Sequence, residues 1–78
     1  MNYIEEMLSN RMIREAVVQI LEEGLRLIGK SEMQIKIYID RNHRLIYDCI
    51  MEYKEEFGVE NEVIDKEWLE EFIGEYGN

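Results

Sequence analysis

The sequence predicts an all-α fold, and three features of the chain lead to this prediction. Apolar residues recur at steps of three and four over residues 31–57, which places them on one side of a helix. Residues 10–28 and 65–76 repeat that spacing in two further segments. The helix over residues 10–28 is joined to the helix over residues 31–57 by the short Gly29-Lys30-Ser31 junction. Because this junction is short, the two helices should pack as antiparallel neighbours. We expect one small domain, residues 1–78, built from this helix hairpin and a short acidic C-terminal helix.

The long helix over residues 31–57 has recognisable signals at both ends. Ser31 can act as its N-cap by accepting the free amide of Gln34, whose side chain can reach back to complete a capping box. Gly29 can end the preceding helix in a left-handed turn, and Gly58 is a candidate C-cap of the long helix. The apolar stripe predicted along the long helix consists of Ile35, Ile39, Asn42, Ile46, Cys49, Ile50, Tyr53 and Phe57.

A strand is the alternative structure for residues 34–40. Isoleucine alternates there with lysine, tyrosine and aspartate, which is the period-two pattern of a strand rich in β-branched residues. This alternative would make the fold α+β, with Arg41–Arg44 as a turn or with Asn42 capping a shorter helix over residues 43–57. The helix is favoured because the stripe keeps its phase from Ile35 to Phe57, and because a single strand has no clear partner elsewhere in the chain.

The opposite side of the long helix is also apolar, since Met33, Ile37, Tyr47 and Met51 lie there. A helix with two apolar faces needs two surfaces to pack against. Two interpretations stay open: another segment of the chain covers the second face, or these four residues form the seam of a homodimer.

The segment before the hairpin has its own apolar pattern. Tyr3 to Leu8 forms a short amphipathic piece whose phase does not continue, so Ser9 or Asn10 is expected to cap a new helix.

Gly24 lies on the apolar face of the helix over residues 10–28, where close approach of the long helix would explain a residue without a side chain.

The C-terminal helix follows a linker or short extended piece at residues 59–64. Asp65 is expected to cap this helix, and Glu67 in its first turn suits the helix dipole. Trp68 is the largest apolar residue of the chain, so it should anchor the helix onto the hairpin.

The net charge of −9 is confined to the C-terminal part of the sequence. Residues 1–47 contain seven acidic and seven basic side chains, whereas residues 48–78 contain eleven acidic and two basic ones. Nucleic acids and anionic membranes would repel such a surface. We therefore expect neither direct nucleic-acid binding nor membrane binding.

Few residues suggest catalysis. The single cysteine, Cys49, excludes an internal disulfide and a cysteine-based zinc site, and its position in the stripe is typical of a small core residue. Asp40 and His43 form an Asp-x-x-His pair, but its place between Arg41 and Arg44 favours a surface histidine over a metal ligand. We expect no enzymatic activity, no metal and no cofactor.

The sequence shows neither a signal peptide nor a membrane-spanning segment, and these two observations predict its localisation. The N-terminal MNYIEEMLSN is acidic and has no apolar run, so no signal peptide is expected. No apolar stretch reaches the roughly 18 residues needed for a membrane span. These features predict a cytoplasmic protein.

Two interpretations of the acidic C-terminal part stay open: it is a solvated face that only keeps the protein soluble, or it is a surface that binds a partner. In size and charge the chain resembles small acidic inhibitors that mimic DNA and occupy the nucleic-acid groove of a basic protein. This resemblance implies a non-enzymatic module that binds a basic partner. The alternative is a dimeric adaptor or antitoxin-like module that acts through its apolar faces. The carboxylates expected to form the binding surface are Glu52, Glu55, Glu56, Glu60, Glu62, Glu67, Glu70, Glu71 and Glu75.

Overall fold

Helices account for most of the chain in the computed structural model, which describes residues 3–58 and 63–76. In chain order they are α1 (Tyr3–Leu27), α2 (Glu32–Arg41), α3 (His43–Phe57) and α4 (Lys66–Tyr76). No strand occurs among the described residues, so the prediction of an all-α fold is confirmed. The alternative with a strand at 34–40 is wrong, because those residues belong to α2.

The link between α1 and α2 forms as its residue types predict. Gly29 has φ +86°, and the amides of Gly29 and Lys30 donate to the carbonyls of Arg26 and Leu25, which is the hydrogen-bond pattern of a Schellman motif. Ser31 caps α2 through a capping box, with Gln34 N–H donating to Ser31 Oγ at 3.2 Å and Ser31 N–H donating to Gln34 Oε1 at 2.9 Å.

An exposed ion pair also crosses this link. The Arg26 guanidinium donates to both carboxylate oxygens of Glu32, with Nε 2.8 Å from Oε1. The hydrogen bond from Arg26 holds the pKa of the Glu32 carboxyl below its usual range. Because both side chains are exposed, water and salt screen this pair, and it contributes little to stability.

The single helix predicted over residues 31–57 is divided at Asn42. Its side-chain Nδ2 donates to the Tyr38 carbonyl at 2.7 Å, and its own N–H is shared between the carbonyls of Tyr38 and Ile39. An asparagine that binds the carbonyl one turn back competes with the regular helical pattern. The chain therefore leaves ideal helical geometry there, with φ −107° and ψ 26°, before α3 begins at His43.

The break predicted near Ser9 and Asn10 does not occur, since α1 runs unbroken from Tyr3. Asn10 does not cap a helix. Its Oδ1 accepts a hydrogen bond of 2.7 Å from Lys54 Nζ, which also donates to Glu6 Oε1 at 3.1 Å. The Asn10 side chain, which was predicted to cap a helix, thus forms a contact between α1 and α3 instead.

The core lies where α1 meets α3 and α4. The predicted stripe of the long helix faces inward across the break at Asn42, and Tyr53 and Cys49 are completely buried. Ile28, the last residue of the segment predicted as a helix, is exposed because α1 has already ended at Leu27. The buried residues of the main cluster are Ile13, Ala16, Val17, Leu21, Ile46, Cys49, Ile50, Tyr53 and Leu69.

Gly24 does not mark a close approach of two helices. It is exposed, and a Cβ built on it would meet no atom within 4 Å apart from its own helix. Replacing Gly24 with alanine should therefore raise the free energy of unfolding by about 0.5–1 kcal/mol, because alanine loses less backbone entropy in a helix. Thermal denaturation followed by circular dichroism measures the change, and a lower melting temperature would contradict the open space seen here.

Candidate functional site

The hydroxyl group of Tyr53 ties α4 to α3. It accepts a hydrogen bond of 2.9 Å from the Asp65 amide and donates one of 3.3 Å to the Val63 carbonyl. Asp65 in turn caps α4 as predicted, because its Oδ1 accepts the Trp68 amide at 3.1 Å. The buried tyrosine therefore contacts the backbone just before α4, which begins at Lys66.

Four aromatic rings hold the same two helices together. The ring centroid of Tyr53 lies 4.6 Å from that of Phe57 and 5.4 Å from that of Trp68. Trp68 also stacks on Phe72, with centroids 5.5 Å apart. Trp68 packs against the core as expected, although it remains half-buried, and Leu69 is the residue of α4 that is fully buried. This packing fixes which side of α4 faces solvent.

The side of α4 that faces away from this cluster is acidic. The glutamates at positions 67, 70, 71 and 75 are all exposed, and so are those at 52, 55 and 56 on α3. Glu60 and Glu62 lie outside the described residues. We call the described set the carboxylate surface; it consists of Glu52, Glu55, Glu56, Glu67, Glu70, Glu71 and Glu75.

A shallow depression marks the junction of the two acidic helices. Its volume is about 260 Å³, and Asp48, Glu52 and Glu55 of α3 line it opposite Phe72 of α4. Leu45 and Met51 complete its wall. The structure thus brings carboxylates of α3 beside α4, which the sequence alone could not show.

The cations near the carboxylate surface do not neutralise it. Lys54 lies on α3 itself, but its side chain is only 8% exposed and its ammonium group is turned toward Glu6 and Asn10 on α1. Lys66 on α4 is exposed to solvent. Within residues 3–58 and 63–76, none of the seven carboxylates forms an ion pair.

Neither Lys54 nor the Tyr53 hydroxyl was among the site residues predicted from the sequence. One signal for Lys54 was available, because it lies four residues after Ile50 and next to Tyr53, on the edge of the buried stripe. A lysine in that position can bury its stem and bring its ammonium group to a neighbouring helix. Its partners on α1 come from residues far away in the chain, so only the fold identifies them.

The four residues proposed as a dimer seam are exposed in the single chain. The exposed fractions are 75% for Met33, 44% for Ile37, 61% for Tyr47 and 45% for Met51. Large apolar side chains grouped on one surface are typical of an interaction site. The other described segments leave at least 44% of each of these four side chains exposed.

The remaining candidates for chemistry lie apart from one another. His43 is exposed, and its Nδ1 is 3.2 Å from the Asp40 carbonyl oxygen, while Cys49 is buried in the core. Burial raises the pKa of the Cys49 thiol to about 12. In the part of the chain that is described, no three histidine, cysteine or acidic side chains come together in a way that could hold a metal ion.

None of the described helices combines the length and the apolar character that crossing a membrane requires. No protein family, no curated protein and no solved structure matches this chain. Its candidate function therefore rests on the geometry and charge described above.

Proposed function

We propose that this chain is a non-enzymatic interaction module that binds a basic protein through its carboxylate surface and inhibits that protein by taking the place of nucleic acid. One observation carries the proposal: seven exposed carboxylates lie on two helices that pack together, and none has an ion-pair partner among the described residues. Holding like charges together without counter-charges opposes the compact state, and a basic partner relieves that repulsion.

The spacing of charge along α4 supports the comparison with DNA. The helix has 11 residues and carries four glutamates, so at ~1.5 Å per residue one negative charge occurs about every 4 Å. A strand of double-helical DNA carries one phosphate per roughly 3.4 Å of helix axis. A protein groove lined with lysine and arginine would meet a similar density of negative charge on either surface.

The proposed role of the remaining helices is that of a scaffold. Contacts between Lys54 and the start of α1, and between Arg26 and Glu32 at its other end, fit a hairpin in which α1 runs antiparallel to α2 and α3. In this proposal the hairpin holds α4 with its carboxylates outward. Because the Lys54 ammonium group pairs with Glu6 on α1, it does not neutralise the carboxylates of α3.

Competition with DNA tests this function. Nucleic-acid-binding proteins from a lysate are loaded on double-stranded DNA immobilised on resin, and the purified chain is added as the eluting agent. We expect the wild-type chain to release a specific subset of proteins at low salt and to lose this ability as salt rises. The triple variant Glu70→Lys, Glu71→Lys, Glu75→Lys should release at least about tenfold less, because each reversal places a cation against a basic groove.

A matched control separates surface from net charge. The variant Glu5→Lys, Glu15→Lys, Glu23→Lys makes the same change in charge at three exposed positions on α1. It should release proteins as the wild type does. Equal loss in both triple variants, or no release by the wild type at low salt, would refute a specific carboxylate surface. Circular dichroism of both variants checks that their helices remain intact.

A further inference from the structure

A repeated spacing connects the exposed apolar residues of α2 and α3. Starting at Met33, outward-facing side chains follow at alternating steps of four and three, which is the seam spacing of a coiled coil. Two charged residues, Asp40 and Arg44, fill the central positions of this series, and both are exposed. We call the series the α2–α3 stripe; it consists of Met33, Ile37, Asp40, Arg44, Tyr47 and Met51.

The stripe lies opposite the core on both helices. At about 100° per residue, Met33 and Ile37 point away from buried Ile35, and Met51 points away from buried Tyr53. Two backbone hydrogen bonds join α2 and α3 to the break at Asn42 on this side. The Asn42 amide donates to the Tyr38 carbonyl and the Ile46 amide donates to the Asn42 carbonyl, so bonds of the regular α-helical spacing connect both helices to the break.

Read from either end, the stripe has apolar and charged residues at the same positions, with acid and base exchanged. Asn42 is its midpoint, with aspartate two residues before and arginine two residues after. Isoleucine and tyrosine lie five residues away on either side, and methionine lies nine residues away on either side. Two such stripes laid antiparallel about a twofold axis at Asn42 therefore pair apolar with apolar and acid with base.

We propose that a second copy of this chain covers the α2–α3 stripe in an antiparallel twofold dimer. Met33 then packs on the partner's Met51, and Ile37 on the partner's Tyr47. Asp40 meets the partner's Arg44, and the symmetry forms this pair twice. Charged residues at the middle of an apolar seam set its register, because a shifted register would leave them facing apolar side chains.

Charge complementarity is what identifies the occupant. In the described part of the chain neither Asp40 nor Arg44 has an ion-pair partner, although they are spaced four residues apart on neighbouring helices. A partner of unrelated sequence would have to supply one base and one acid at matching positions, whereas a second copy supplies both. The dimer does not depend on the DNA-like role of the carboxylate surface.

Two single charge reversals and their mixture test the dimer. Asp40→Arg leaves only positive charge at the middle of the stripe, and Arg44→Asp leaves only negative charge. Each variant alone should raise the dimer dissociation constant at least about tenfold, because like charges face each other twice. An equimolar mixture should restore association, since every central pair is then opposite in charge. Sedimentation equilibrium measures the mass against the 9.5-kDa monomer.

The control uses the exposed ion pair of α1, which has the same spacing of four residues. Arg11→Asp and Glu15→Arg, each alone, should leave the dissociation constant of the dimer unchanged. Both stripe variants should also fold, because Asp40→Arg adds a cation near the end of α2 and Arg44→Asp adds an anion near the start of α3, and both changes suit the helix dipoles.

The masses decide between the outcomes. A wild-type chain that remains monomeric at several hundred micromolar would overturn the proposal. So would a wild-type dimer together with variants that stay dimeric alone, or a mixture that stays monomeric. Because sedimentation uses the purified chain alone, failure of the DNA competition would not affect this result, and a monomeric chain would not affect the competition.

Discussion

Replacing Tyr53 with alanine is expected to unfold a large fraction of the molecules at 25 °C. The side chain is completely buried, contacts the rings of Phe57 and Trp68, and binds the backbone at Val63 and Asp65. Truncating a buried aromatic residue costs about 3–5 kcal/mol. A core of this size supplies only about 3–5 kcal/mol in total, so little stability would remain. Urea denaturation followed by circular dichroism measures the loss.

The variant Tyr53→Phe separates the hydroxyl group from the ring. It keeps the aromatic contacts but removes the acceptor for the Asp65 amide, so we expect a smaller loss of about 1–2 kcal/mol. Emission from the single tryptophan, Trp68, should shift to longer wavelength at lower urea than the helical signal does, because α4 loses its attachment first. A Tyr53→Ala chain as stable as Tyr53→Phe would show that the ring contributes little.

The Cys49 thiol is expected to resist alkylation in the folded chain by more than a thousandfold relative to the unfolded chain. Burial raises its pKa from 9.0 to about 12, which alone lowers the reactive thiolate fraction about a thousandfold at pH 8. Its complete burial also excludes the reagent. Iodoacetamide labelling with and without urea, followed by mass spectrometry, measures the two rates. Equal rates would mean that the core opens readily around α3.

The same burial makes stability depend on pH in a defined direction. Above about pH 9 the thiol ionises in the unfolded chain but stays protonated in the folded chain, so the unfolded state binds fewer protons. The contribution of Cys49 to stability is complete below pH 9 and falls by up to ~1.4 kcal/mol per unit toward pH 12. The wild type should lose stability between pH 8 and pH 10, whereas Cys49→Ala lacks this loss. The difference in unfolding free energy between the two proteins should therefore be smaller at pH 10 than at pH 8. A constant difference between the two proteins would contradict it.

Local signals in the sequence were accurate where the chain makes its own hydrogen bonds. Ser31 and Gln34 form the predicted capping box, and Asp65 caps α4. Gly29 and Gly58 both take positive φ at the ends of helices, as expected of residues without a Cβ. These features depend on neighbours within a few residues, and such neighbours can be identified from the sequence.

Two predicted helix boundaries were wrong, because the asparagine at each position can form more than one kind of hydrogen bond. Asn10 was expected to begin a helix, yet its oxygen binds Lys54 from α3 and α1 continues through it. Asn42 was placed in an unbroken stripe, yet its amide binds the Tyr38 carbonyl and divides the helix. An asparagine satisfies either a backbone group or a distant side chain, and the choice depends on packing.

By itself the sequence determined the helical class, the caps at Ser31 and Asp65 and the buried stripe, because periodicity and hydrogen bonding over three or four residues follow from the order of the side chains. It also placed all of the net charge after residue 47. Only the tertiary structure decided that Lys54 faces α1, that Tyr53 binds the start of α4, and that carboxylates of α3 lie beside Phe72 of α4. Those contacts join residues 10 to 48 positions apart, and such pairs meet only after the helices have packed.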